Sequence, residues 1–184
     1  MDAPFSDYRS VLHFWFHETA PQQWFAQSDA FDRIIRQRFF TVWERAARGE
    51  LAGWRDNMQG RLAEIILLDQ FSRNLFRNDA RAFAQDGMAL VLAQHAVALP
   101  DFMRLDKTER QFALMPLMHS ESAAIHRQAD ELFRHLAPPA SHEFELKHKK
   151  IIDHFGRYPH RNAVLGREST AEETAFLREE GSSF

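Results

Sequence analysis

The chain of 184 residues has no cysteine, two tyrosines, and seven each of glycine and proline. Missing thiols exclude disulfide scaffolds, cysteine nucleophiles and thiolate zinc sites. Glycine is too sparse to build a phosphate-cradling loop, and neither a Gly-x-Ser-x-Gly elbow nor a dinucleotide fingerprint occurs. Charge of one sign is also lacking. The 23 Lys and Arg face 26 Asp and Glu, a net charge of −3, so there is no broad basic field of the kind that holds nucleic acid. Long apolar runs are absent too. The stretch from Phe112 to Met118 is interrupted by Pro116 and falls far short of the roughly 18 residues that span a membrane. Met1-Asp2-Ala3-Pro4 has neither the basic nor the apolar region of a signal peptide, so a cytoplasmic location is expected.

What the chain does have is aromatic and imidazole side chains: 17 Phe, 4 Trp and 10 His. A chain of this length buries about 70% of its unfolded surface, and no low-complexity linker divides it, so residues 1–184 read as a single domain. β-branched residues are few and no Asn-Gly or Asp-Gly turn appears, whereas apolar residues recur at helical spacing throughout. The expected class is all-α, a stack of antiparallel helices joined by short loops.

A first helix is predicted over Ser6 to His17, broken by Pro21. Ser28 or Asp29 caps a second to Arg48, with Phe31, Ile34, Ile35, Phe39, Val42 and Trp43 as its stripe and Gly49 as its stop. A third covers Asn57 to Arg77, and a fourth, capped by Asp79, runs through Val97. Asp106 and Glu109 form a capping box for a fifth, which Pro116 should kink or divide before the pattern ends near Leu136. Ser141 caps a sixth, His142 to Phe155, closed by Gly156. Residues 157–166 form an ordered loop, and capping boxes at Ser169 and Thr170 open a last short helix.

Three segments interrupt this pattern with polar groups. On the third helix, Asp69 and Arg73 prolong the apolar stripe of Leu62, Ile65 and Ile66 at the i,i+4 spacing of an ion pair. They read either as an internal tie or, with Gln70, Asn74 and Arg77 beside them, as donors to an anionic ligand. On the fifth, His119 extends the stripe of Phe112 and Met115 just after Pro116. Glu121 lies about 200° away from it on an unbroken helix. Met103, Met115 and Met118 read as core packing, and His126/Asp130 and Glu131/His135 as surface pairs. The third segment is basic: Lys147, Lys149 and Lys150 flank His148 on the sixth helix, and Arg157, His160, Arg161 and Asn162 follow on a loop stiffened by Gly156 and Pro159. No His-x-x-x-His or His-Glu-x-x-His spacing occurs, so no metal and no cofactor is expected.

The stretches Leu68 to Arg77 (LDQFSRNLFR), Met115 to Glu121 (MPLMHSE) and Phe155 to Asn162 (FGRYPHRN) resemble an uncharacterised, mostly bacterial family, domain of unknown function 924, over nearly the whole chain. Ser72 and Leu114 depart mildly from its pattern, where proline and an aromatic are common. The resemblance implies a tetratricopeptide-like α-α superhelix, here without sequence repeats, and assigns no activity. Two functions follow as expectations. In one, Asp69, Arg73 and Asn74 meet His119, Glu121, His148, Arg157, His160, Arg161 and Asn162 in a pocket for a small anionic or polar molecule, and a catalytic version uses His119 or His148 as general acid/base. In the other, the helices form a scaffold for a peptide or protein partner. Nucleic acid and membrane are not expected partners.

Overall fold

The computed structural model describes residues 7–182. Among them every regular element is helical: α1 (Tyr8–His13), α2 (Asp29–Ala47), α3 (Met58–Ile66), α4 (Ser72–Leu75), α5 (Asp86–Val97), α6 (Lys107–Met118), α7 (Ala123–Leu136), α8 (Pro139–Phe155) and α9 (Ala171–Phe176). Ser6, placed at the start of the first predicted helix, lies outside the described residues. Short 3-10 turns join several of these helices, and wide π turns extend α1 over Phe14–Glu18 and link α3 to α4 over Leu67–Phe71. Consecutive helices α5 to α8 pack against one another in chain order.

The caps behave as their chemistry dictates. Ser28 Oγ accepts from the Phe31 amide, Asn57 from Gly60, Asp106 and Glu109 cap each other, and Thr170 pairs with Glu173. Gly156 closes α8 at φ +70°, in the left-handed region that disfavours a side chain. The core is aromatic. Phe14, Trp15, Phe39, Phe71 and Phe112 are buried and meet edge-on or tilted at centroid distances of 5.0–6.1 Å.

Five expectations are corrected. Pro116 neither ends nor divides the fifth helix: α6 runs through it to Met118, and the chain breaks afterwards, at residues 119–122. Asp79 caps only a 3-10 turn, Ala80–Ala82, and α5 starts at Asp86. Helix α8 begins at Pro139 with Pro138 as its cap, because proline suits the first turn where no donor is needed; the Ser141 hydroxyl donates to Gln111 instead. His126 is no surface group but fully buried, and Met103 and Ile34 are exposed rather than core.

Candidate functional site

The break after α6 has a physical cause. The last carbonyls of a helix lack intrahelical donors, and here three consecutive ones, Met118 to Ser120, take side chains from α7 and from the loop after α8. Tyr158 Oη donates to Met118 O at 2.5 Å, Arg161 Nη2 to His119 O at 3.0 Å, and His126 Nε2 to Ser120 O at 2.8 Å. These bonds fix the turn that carries His119.

On the other side, the π turn Leu67–Phe71 brings Asp69 to His119. Asp69 is fully buried, and its Oδ1 lies 2.6 Å from His119 Nδ1. Gln70 Nε2 donates to Asp69 Oδ2 at 2.6 Å, and Arg73 Nη1 lies 3.3 Å from Oδ1. Burial alone would raise the Asp69 carboxyl, but the charges of His119 and Arg73 and the hydrogen bonds from His119 and Gln70 outweigh it and hold it at about 2. Burial, helped by the Arg73 charge, pushes His119 below its ordinary value despite Asp69. An ionised carboxylate facing Nδ1 requires the proton there, so Nε2 carries the lone pair. Nε2 has no hydrogen-bond partner among the described residues, and the side chain keeps 11% of its surface exposed.

Asp86, at the start of α5, closes the arrangement. Its carboxylate accepts two hydrogen bonds from Arg73, at 2.9 and 3.0 Å, and one from Arg161 Nη1 at 3.3 Å. Arg161 lies between the rings of Phe83 and Tyr158, 4.5 and 4.6 Å from their centroids. His148, whose ring is 6.5 Å from that of His119 and 5.8 Å from Tyr158, donates from Nδ1 to Phe144 O at 2.7 Å. Burial is the main reason that His148 sits at about 3 and His160, 5.6 Å from Tyr158, at about 4. Imidazoles thus surround Tyr158, and these two are neutral at neutral pH.

A second carboxylate–imidazole pair lies behind this one. His126 Nδ1 is 2.7 Å from Glu145 Oε1, both side chains are fully buried, and Tyr158 Oη is 3.1 Å from His126 Nε2. Nε2 faces the Ser120 carbonyl and donates to it, and Nδ1 faces the Glu145 carboxyl. Burial raises the Glu145 carboxyl above its ordinary value.

Of the residues singled out in the sequence, Asp69, Arg73, His119, His148, His160 and Arg161 gather here. Asn74 does not: its amide donates to Asp32, which also takes a two-pronged bond from Arg77. Glu121 is a structural anchor that accepts from the Tyr158 amide and from Arg167. Arg157 and Asn162 both reach Glu173, pinning α9 to the loop. Asp86, Glu145, His126 and Tyr158 were missed as site residues. Tyr158 and Glu145 carried one usable signal, since Tyr158 lies inside a polar motif and Glu145 lies one turn before His148 on α8. A recess of 740 Å³ lined by Tyr8, Leu12, Phe16 and Trp24 lies towards the opposite end of α6, beside Asp106 and Glu109. Among the described residues no group of three or more His, Asp or Glu is arranged to hold a metal ion, and no helix is long and apolar enough to cross a membrane.

The comparisons fit this architecture. A solved structure of a protein of unknown function, ATU0120 from Agrobacterium tumefaciens, superposes with a TM-score of 0.88 at 34% identity, over 93% of this chain and 96% of that one. No curated protein matches. The sequence pattern of the family described as bacterial protein of unknown function, DUF924, matches residues 11–181, and the chain belongs to that family.

Proposed function

We propose that the chain binds a small polar molecule at His119 and acts on it by general acid/base catalysis. The observation that carries this reading is the Asp69–His119 pair: a buried carboxylate fixes the Nδ1–H tautomer and leaves a neutral Nε2 lone pair without a partner among the described residues. This is the arrangement by which a carboxylate orients an imidazole base and stabilises the imidazolium that forms when it accepts a proton. The second expected base, His148, is more deeply buried and serves here to pack against His119 and Tyr158. The order of α6, α7 and α8 in the packing supports a tetratricopeptide-like stack as the frame.

The test is a screen of the purified protein against acyl esters, amides and phosphoesters, with His119→Ala and Asp69→Asn in parallel and circular dichroism to confirm their folds. A turnover lost in both folded variants supports the reading. A turnover that both variants retain removes His119 from the chemistry.

A further inference from the structure

Arginines beside a base suggest an anion site, yet the two guanidinium groups here already hold one. Asp86 grips Arg73 with both oxygens and shares its Oδ2 with Arg161. The faces of Arg161 are covered by Phe83 and Tyr158. Its Nη2 is spent on the His119 carbonyl, its Nε is sealed from solvent with no partner, and only 7% of the side chain is exposed. Arg73 Nη1 also donates to the Asp69 carbonyl. Two cations and two carboxylates, Asp69 and Asp86, therefore cancel; Asp69 and Arg161 are buried, while Arg73 and Asp86 keep about a fifth of their side-chain surface exposed. An incoming anion would meet two carboxylates; the Arg161 edge that faces neither of them, Nε with Nη2, is sealed from solvent or spent on the His119 carbonyl, so Arg161 could be gained only by displacing Asp86.

We propose that Asp86 is a built-in counter-ion that reserves the His119 site for an uncharged ligand, such as a neutral ester or amide, and excludes phosphates and carboxylates. This rests on the reading of His119 as the base and narrows its substrate class. Asp86 touches neither His119 nor the ligand position in this arrangement; it determines specificity through the two arginines.

The experiment follows the His119 ring signals of ¹⁵N-histidine-labelled protein during titration with inorganic phosphate, then with acetate, at constant ionic strength. In the native protein neither ion produces a saturable shift. In Asp86→Asn, where the neutral amide keeps the shape but leaves the two guanidinium groups with Asp69 as their one carboxylate, phosphate binds saturably and at least about ten-fold more tightly. Saturable phosphate binding at His119 in the native protein overturns the proposal, whether or not the variant folds. So does a folded Asp86→Asn protein that binds phosphate no better than the native one. The reading of His119 as base fails separately, if its Nε2 is protonated before any ion is added.

Discussion

Acidification between pH 7 and pH 5 should destabilise this protein by loading protons onto imidazoles that the fold keeps neutral. His148 is 6% exposed, and its folded value of about 3 lies well below the ordinary 6.5. A depressed folded value means that the unfolded chain binds more protons in the interval. The stability contributed by His148 is therefore complete above about pH 6.5 and is lost as pH falls towards 3. At pH 5 the unfolded ring is 1.5 units past its own midpoint while the folded ring is still neutral, which at about 1.4 kcal/mol per unit costs about 2 kcal/mol. His160, at about 4 and partly exposed, adds up to about as much in the same sense. His119 is lowered as well and acts in the same direction, whereas the raised Glu145 opposes them. Asp69 and Glu173, both at about 2, exert their effect only below the ordinary carboxylate range. Urea unfolding at pH 7 and pH 5 should thus show the native protein losing about 3–4 kcal/mol. The substitution His148→Gln retains a donor for the Phe144 carbonyl and cannot titrate. Its loss should be smaller by about 2 kcal/mol. Equal losses in the two proteins, or none in either, would refute the argument.

Three other outcomes follow from particular contacts. Glu145→Gln, whose amide can still donate to His126 Nδ1, should cost no more than about 1 kcal/mol, whereas Glu145→Ala should cost about 3 because it leaves a buried ring nitrogen unpaired beside a cavity; chemical denaturation separates the two. Gly60→Ala should fail to fold or lose more than about 3 kcal/mol, since a Cβ there would lie 1.9 Å from the Trp54 carbonyl oxygen. Gly87→Ala, on open space in α5, should raise the melting temperature slightly through helix propensity.

Much of the frame was legible from short-range chemistry. Ser28, Asp106 with Glu109, and Thr170 with Glu173 cap helices as read from the sequence because the donors they serve are three residues away. The site was legible only in its members, not in its wiring. A helical wheel at 100° per residue cannot anticipate the π turn at Leu67–Phe71, which sets the angle between Asp69 and His119. Nor can it show that Tyr158, Arg161 and His126 supply donors to carbonyls 118–120, the contacts at which α6 ends after Met118. Asn74, Asn162 and Arg157 stand next to site residues in sequence, but neighbours on a helix or a tight loop point to different faces, and each is committed to another carboxylate or hydroxyl. Asp86 was invisible for the opposite reason. It looks like an ordinary acid in the first turn of a helix, and its role depends on two arginines 13 and 75 residues away.

The central claim is that Asp69 holds His119 as a neutral base with its lone pair on Nε2. Long-range ¹H–¹⁵N correlation of the imidazole rings at pH 7, with His119 assigned by its absence in His119→Ala, measures this directly. His119 should show a protonated Nδ1 and an unprotonated Nε2, shifting to the opposite tautomer or to a mixture in Asp69→Asn. An imidazolium, or a ring protonated at Nε2 in the native protein, would contradict it.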